Sequence, residues 1–376
     1  VTRGAARWIC VLLAGLAMGE GGFVQLDVTL EFFEIAAEIG VLLLLFTLGL
    51  EYSESELRSG LRSGLRPGVV DMTLNALPGV ALGLILGWEP LAAVLLGGVT
   101  WITSSGVVSK VLSDLGRLGF RETPAVLNIL VIEDLAMAVY LPVVAALIVG
   151  GSLVGTMTSV AVALIVVTII LLAALRYGRR LSDLVAGGSD ETFLLSVFGI
   201  SLLVAGVAQQ FEVSGAIGAF LVGLALSGRA ERRAHLLISP LRDLFAATFF
   251  LFFSFQIDPA DLLGVAVPAL VLAGITVVTK IVTGWYAAGR VGAGPRGRLR
   301  AGTVLAARGE FSIVIAALGA TLIDGPELGA LAAGYVLITA VVGPLAAKFS
   351  DHVPLPARLQ RRVAHPPETS GVTSGV

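Results

Sequence analysis

Glu133 and Asp134 are adjacent carboxylates inside the apolar run NILVIEDLAMAVYLP, Asn128 to Pro142. A charge at the centre of a membrane helix costs about 3 kcal/mol on insertion scales, so ionisable groups at that depth point to function. A carboxylate there can hold a proton or a metal cation, and competition between the two is the chemistry of coupled exchange. Neighbouring helix positions point about 100° apart. One of the pair is therefore expected to line an ion path while the other meets a protein partner. The competing reading, for Glu133 above all, is a carboxylate neutralised by lysine for packing.

Lys280, in TVVTKIVTGWY, lies well inside another apolar run and is the obvious counter-charge. It is expected to pair with Asp134 when no cation is bound. Such a pair is a poor source of stability and a good switch, because removing one partner strands the other. The alternative is a lysine that snorkels to the interface. WITSSGVVSK, Trp101 to Lys110, interrupts a third run with Thr103, Ser104, Ser105 and Gly106. Hydroxyls and freed carbonyls are the hard oxygen ligands of alkali cations, and broken helices supply them in transporters. Small-residue helix packing would use the same residues. LAARGEFSIVI places Arg308 and Glu310 in a fourth run. Two positions apart, they do not meet on one helix face, and they read as structural charges at a broken helix. Asp71, Glu34 and Glu38 fall nearer run ends and are expected to be solvated or capping.

The sequence offers no His/Cys/carboxylate cluster with metalloenzyme spacing, no nucleophile–base set and no nucleotide-binding motif. It reads as a transporter and not an enzyme, with no cofactor and no metal beyond a transported alkali cation.

These residues must be positioned by a membrane fold. The chain of 376 residues is 56% hydrophobic and 14% charged, with a mean hydropathy of +0.93. Soluble proteins carry about 25% charge. A net charge of −2 gives no sign of nucleic-acid binding. The single cysteine, Cys10, excludes an internal disulfide and reads as a small packing residue. Apolar runs give about twelve candidate spans, near 7–20, 32–50, 68–87, 91–112, 124–149, 153–175, 192–208, 213–228, 244–257, 262–289, 301–322 and 328–349. Alternate connections, together with the two ends of the chain, hold 23 of the 25 basic residues, and the other connections hold none. Lys280 and Arg308 are the remaining two. This asymmetry places both termini in the cytoplasm. The first run is short, so one further span is expected upstream. Residues 1–349 read as the membrane domain and 350–376 as a disordered cytoplasmic tail.

The chain also resembles itself. LLAGLAMG (to Gly19) matches FLVGLALSG (to Gly228), and LLLLFTLGLEYSESEL matches FFLFFSFQIDPADL, at an offset of about 207. The charge pattern gives the copies opposite orientation. The expected fold is all-α and polytopic, with two inverted-topology repeats.

In this order, FEIAAEIG (Phe33 to Gly40), LLLLFTLGLE, TSSGVVSKVL, VIEDLAMA, GAIGAFLVGLALS, LFFSFQID and ARGEFSIVI resemble bacterial monovalent cation:proton antiporters. The similar branch includes Kef-type potassium efflux systems. The resemblance covers about residues 10–349 and implies thirteen spans, a dimerisation part, an ion-carrying core and a homodimer in the cell inner or plasma membrane. It implies that Asp134 carries cation and proton, that the TSS and ARGE spans are crossing broken helices, and that Lys280 is the basic partner. Glu133 stands where relatives show Asn, Gln or Asp. Kef-type proteins carry a soluble nucleotide-binding domain that these residues lack, so gating would need a separate cytoplasmic subunit. The expected activity is exchange of potassium first, or sodium second, for protons. A gated cation channel and a sensor without transport are the alternatives.

Overall fold

The computed structural model describes residues 10, 14–15, 17–18, 30–50, 54–149, 153–210, 215–255 and 259–354. The first candidate span and LLAGLAMG lie largely outside the described residues, as does the tail from 355. Thirteen helices are described: α1 Leu30–Leu50, α2 Glu54–Ile85, α3 Pro90–Trp101, α4 Ser105–Asp114, α5 Thr123–Val149, α6 Leu153–Val185, α7 Asp190–Gln210, α8 Gly215–Ala225, α9 Gly228–Phe255, α10 Pro259–Arg290, α11 Pro295–Val304, α12 Glu310–Leu318 and α13 Gly325–Phe349. Among the described residues, seven stretches are long and apolar enough to cross a membrane.

Several basic connections turn out to be helical. Residues 229–242 open α9, residues 176–185 close α6, and α2 runs from Glu54 through Pro67 to Ile85. Hydropathy marks where lipid stops, not where backbone hydrogen bonding stops. Cys10 is exposed and not packed.

Contacts at the two ends of the molecule fix the relation between the halves. At one end, Trp88 Nε1 donates to Glu327 (2.9 Å) and the Glu89 amide to Asp324 (2.8 Å). At the other, Arg117 reaches the Ala347 carbonyl (2.9 Å) and Asp351 (2.8 Å), and Arg121 Nε reaches the Val291 carbonyl (3.1 Å). Thus α2 finishes at the first end and α10 at the second. The pair α3–α4 runs from first to second, and α11–α12 from second to first. Helices α5 and α13 are opposed in the same way. The order long helix, broken helix, long helix occurs twice, inverted.

The helices pack mainly in two groups, α1 with α6 to α9 and α2 to α5 with α10 to α13, joined chiefly where α5 lies against α6. Apolar burial drives little association in lipid, so close backbone approach matters. A Cβ on Gly49 would strike the Phe220 carbonyl, and one on Gly223 would strike that of Phe46, so α1 and α8 cross backbone to backbone. Gly284 of α10 and Gly302 of α11 are opposed in the same manner.

The second end carries a clamp. Arg300 Nε bonds Asp351 at 2.6 Å, Arg296 bonds the Val353 carbonyl at 2.6 Å, and Ser350 is buried. Burial works against the Asp351 carboxylate. Hydrogen bonds from Arg300 and the nearby charge of Arg117 outweigh it and hold Asp351 below its ordinary value.

Candidate ion site

The two broken helices cross at their breaks. Residues 102–104 separate α3 from α4, and residues 305–309 separate α11 from α12. The Ser104 amide donates to the Ala307 carbonyl at 3.1 Å, and Ser312 Oγ donates to the Val99 carbonyl at 2.9 Å. Each break leaves a helix C-terminus with free carbonyls and an N-terminus with free amides. Arg308 serves both C-termini: Nε donates to the Thr100 carbonyl (3.1 Å) and an Nη to the Leu305 carbonyl (3.0 Å). Its other Nη has no hydrogen-bond partner among the described residues. The arginine is fully buried.

The amide end of the first break is served from α5. Glu133 accepts from the Thr103 amide (2.5 Å) and the Thr103 hydroxyl (2.9 Å). A carboxylate at a helix N-terminus meets the positive end of the helix dipole. Ser104 caps α4 by accepting from the Val107 amide at 3.3 Å. Ser105 opens α4, half-buried, one residue past these bonds.

Lys280 corrects an expectation. Its ammonium bonds both oxygens of Asp71, at 2.7 and 2.9 Å, and Glu133 at 2.7 Å, in place of the Asp134 partner expected from sequence. All three side chains are 0% exposed. Glu133 and Asp134 face different ways around α5, and Glu133 is the one that turns toward α10. Asp134 is also buried, at 1% exposed. Asp71 was expected to be solvated or capping, near a span end. It sits inside a 32-residue helix that does not stop at Pro67. Glu38 is exposed, as expected. The side chains of Glu310 and Glu34 lie outside the described residues.

Sequence reading also missed the residues that hold Asp71. Trp101 Nε1 and Asn75 Nδ2 each donate to it at 3.0 Å. Asn75 accepts from Thr279 (2.7 Å) and lies 3.4 Å from the Thr283 hydroxyl. Thr100 donates to the Asn75 carbonyl at 2.8 Å. The Trp101 indole stands edge-on to Tyr140, with centroids 6.5 Å apart. The available signal was two polar residues four apart in each of two apolar runs, Asp71/Asn75 and Thr279/Thr283. That spacing places each pair on one helix face. Removing one member of a buried ion pair costs about 3–5 kcal/mol, because the other charge is left uncompensated.

The family described as "Sodium/hydrogen exchanger, transmembrane" matches residues 7–349. The chain belongs to this family. It is 36% identical over 335 residues to the K(+)/H(+) antiporter subunit KhtU of Bacillus subtilis, covering 88% of this chain and 82% of that protein. It is 29% identical to the ammonium/H(+) antiporter subunit AmhT of Alkalihalophilus pseudofirmus, covering 92% of this chain and 87% of that protein. Among solved structures, the sodium proton antiporter MjNhaP1 of Methanocaldococcus jannaschii superimposes with a TM-score of 0.67 at 16% identity, covering 91% of each chain. This exchanger-family chain therefore has the antiporter fold and is a multi-pass membrane protein, as its motifs and charge pattern led one to expect.

Proposed function

We propose that this chain is a secondary antiporter that exchanges a monovalent cation, potassium before sodium, for protons across the cell membrane. Asp134 is the carrier, and it binds a cation or a proton, never both. Glu133, Thr103, Ser104 and Ser105 complete the ion site, Lys280 is its basic partner, and Arg308 and Glu310 are structural charges. The core helices move the site between the two faces, and competition for one carboxylate couples the fluxes.

One observation carries this reading. A buried charge cluster, Lys280 with Asp71 and Glu133, is bonded onto the break at Thr103. Asp134 is buried at the next position of α5. The names of the relatives support the cation class: one acts on potassium and one on ammonium. Both are called subunits, which supports a separate cytoplasmic regulatory partner. The end that gathers Arg117, Arg121, Arg296 and Arg300 is read as cytoplasmic under the positive-inside rule, with both termini on that side. The family resemblance implies a homodimer, and the group without the broken helices, α1 with α6–α9, is the part left free to form it.

The test is exchange in proteoliposomes loaded with a pH dye, with potassium or sodium added outside. Asp134→Asn is expected to abolish pH-gradient-driven cation flux while the protein purifies as the wild type does. Full activity in that variant refutes the assignment. Voltage-driven current without obligatory proton movement would mark a channel, and absence of any flux a sensor.

A further inference from the structure

Lys280 has two carboxylate partners where one would neutralise it. The two are held differently. Asp71 grips the ammonium with both oxygens, at 2.7 and 2.9 Å, and receives Trp101 and Asn75 from the other side at 3.0 Å each. Those four bonds fill the acceptor capacity of a carboxylate. Asn75 is bonded in turn to Thr279 of α10, so Asp71 and Lys280 are tied across α2 and α10 twice. Glu133 gives Lys280 only Oε1, at 2.7 Å, and directs its other bonds to the amide and hydroxyl of Thr103 in the break. Glu133 therefore faces the proposed cation path, and Asp71 stands behind the ammonium.

We propose that Asp71 is a positioning residue that keeps Lys280 paired while Glu133 turns from the ammonium to the transported cation. The inference rests on the antiporter reading above. A buried ammonium that loses its partner is strongly disfavoured. If Glu133 were the sole partner, each cation arriving at Glu133 would strand Lys280, and the lysine would compete with the cargo for the same oxygens. A second carboxylate, locked in place by Trp101 and Asn75, removes that conflict. What changes is which oxygens face the ammonium, with no change of protonation at Asp71.

Exchange is measured in proteoliposomes over a range of potassium and sodium concentrations, for the wild type and Asp71→Asn. With Asp71 neutral, Lys280 holds Glu133 against the cation. The cation KM is then expected to rise about tenfold or more, with a smaller change in kcat. A purely structural role would lower the yield of folded protein and leave KM alone. An unchanged KM beside normal wild-type exchange overturns this inference and leaves the antiporter reading standing. No exchange by the wild type with either cation overturns the antiporter reading, and this inference with it. If Asp71→Asn does not fold, size-exclusion chromatography of Asp71→Asn/Lys280→Met decides. Recovery of the folded peak supports the pairing, and no recovery refutes it.

Discussion

The two breaks share a shape and differ in how their charges are balanced. The break at 305–309 carries its own cation: Arg308 donates to carbonyls ending both α3 and α11, and no second helix has to supply it. The break at 102–104 is uncharged and borrows a carboxylate from α5, through Glu133 on Thr103. A charge built into the segment it balances stays with that segment through any motion. A borrowed charge can leave. The second break is thus suited to holding the crossing together, and the first to changing its partners during a cycle.

The largest expected effect comes from removing the built-in charge. Arg308→Met deletes two buried hydrogen bonds from a charged donor and should cost about 3 kcal/mol of stability. Thermal unfolding in detergent, followed by loss of the monodisperse peak, would show it. A variant as stable as the wild type but inactive would mean that Arg308 serves transport and not the fold. An intermediate effect is expected from Thr103→Ala, which removes one donor to Glu133 and leaves the backbone amide. Cation affinity should fall about tenfold, as for loss of about 1.4 kcal/mol, with little change in unfolding temperature. Equal losses of stability in both variants would erase the difference between the breaks.

The smallest effect concerns the clamp at the far end of α11. Asp351 is held by Arg300 and Arg117, and its folded value lies below its ordinary one. Its contribution is therefore complete above the unfolded carboxylate value and disappears only as pH falls through the lower folded value. Hydrogen exchange at residues 350–353 should show the clamp intact from pH 8 to pH 5, with loss only below about pH 4. Asp351 is partly exposed, so Asp351→Asn should cost under about 1 kcal/mol. Release of this segment near neutral pH would show that other groups govern it.

Much of this was legible in the sequence for definite reasons. Arg308 and Lys280 stood out because a charge in an apolar run is rare. The first break stood out because TSS is poor lipid-facing helix, and the second was given by the family resemblance of ARGE. The partner of Lys280 was not legible. Asp71 lies 209 residues away, and Arg66–Pro67 before it imitated a span end. Proline in a membrane helix is tolerated when neighbours satisfy the freed backbone, so α2 continues and carries Asp71 inward. The choice of Glu133 over Asp134 as the lysine's partner depends on how α5 is rotated against α10. Composition and spacing carry no information on that rotation.

The bare seam at Gly284 and Gly302 has a mechanical consequence. Lys280 lies one helical turn before Gly284, and no side chain cushions α10 from α11 at that point. Backbone therefore bears directly on backbone beside the ammonium. A tilt of the half-helix leading into the second break would press on the turn of α10 that carries Lys280.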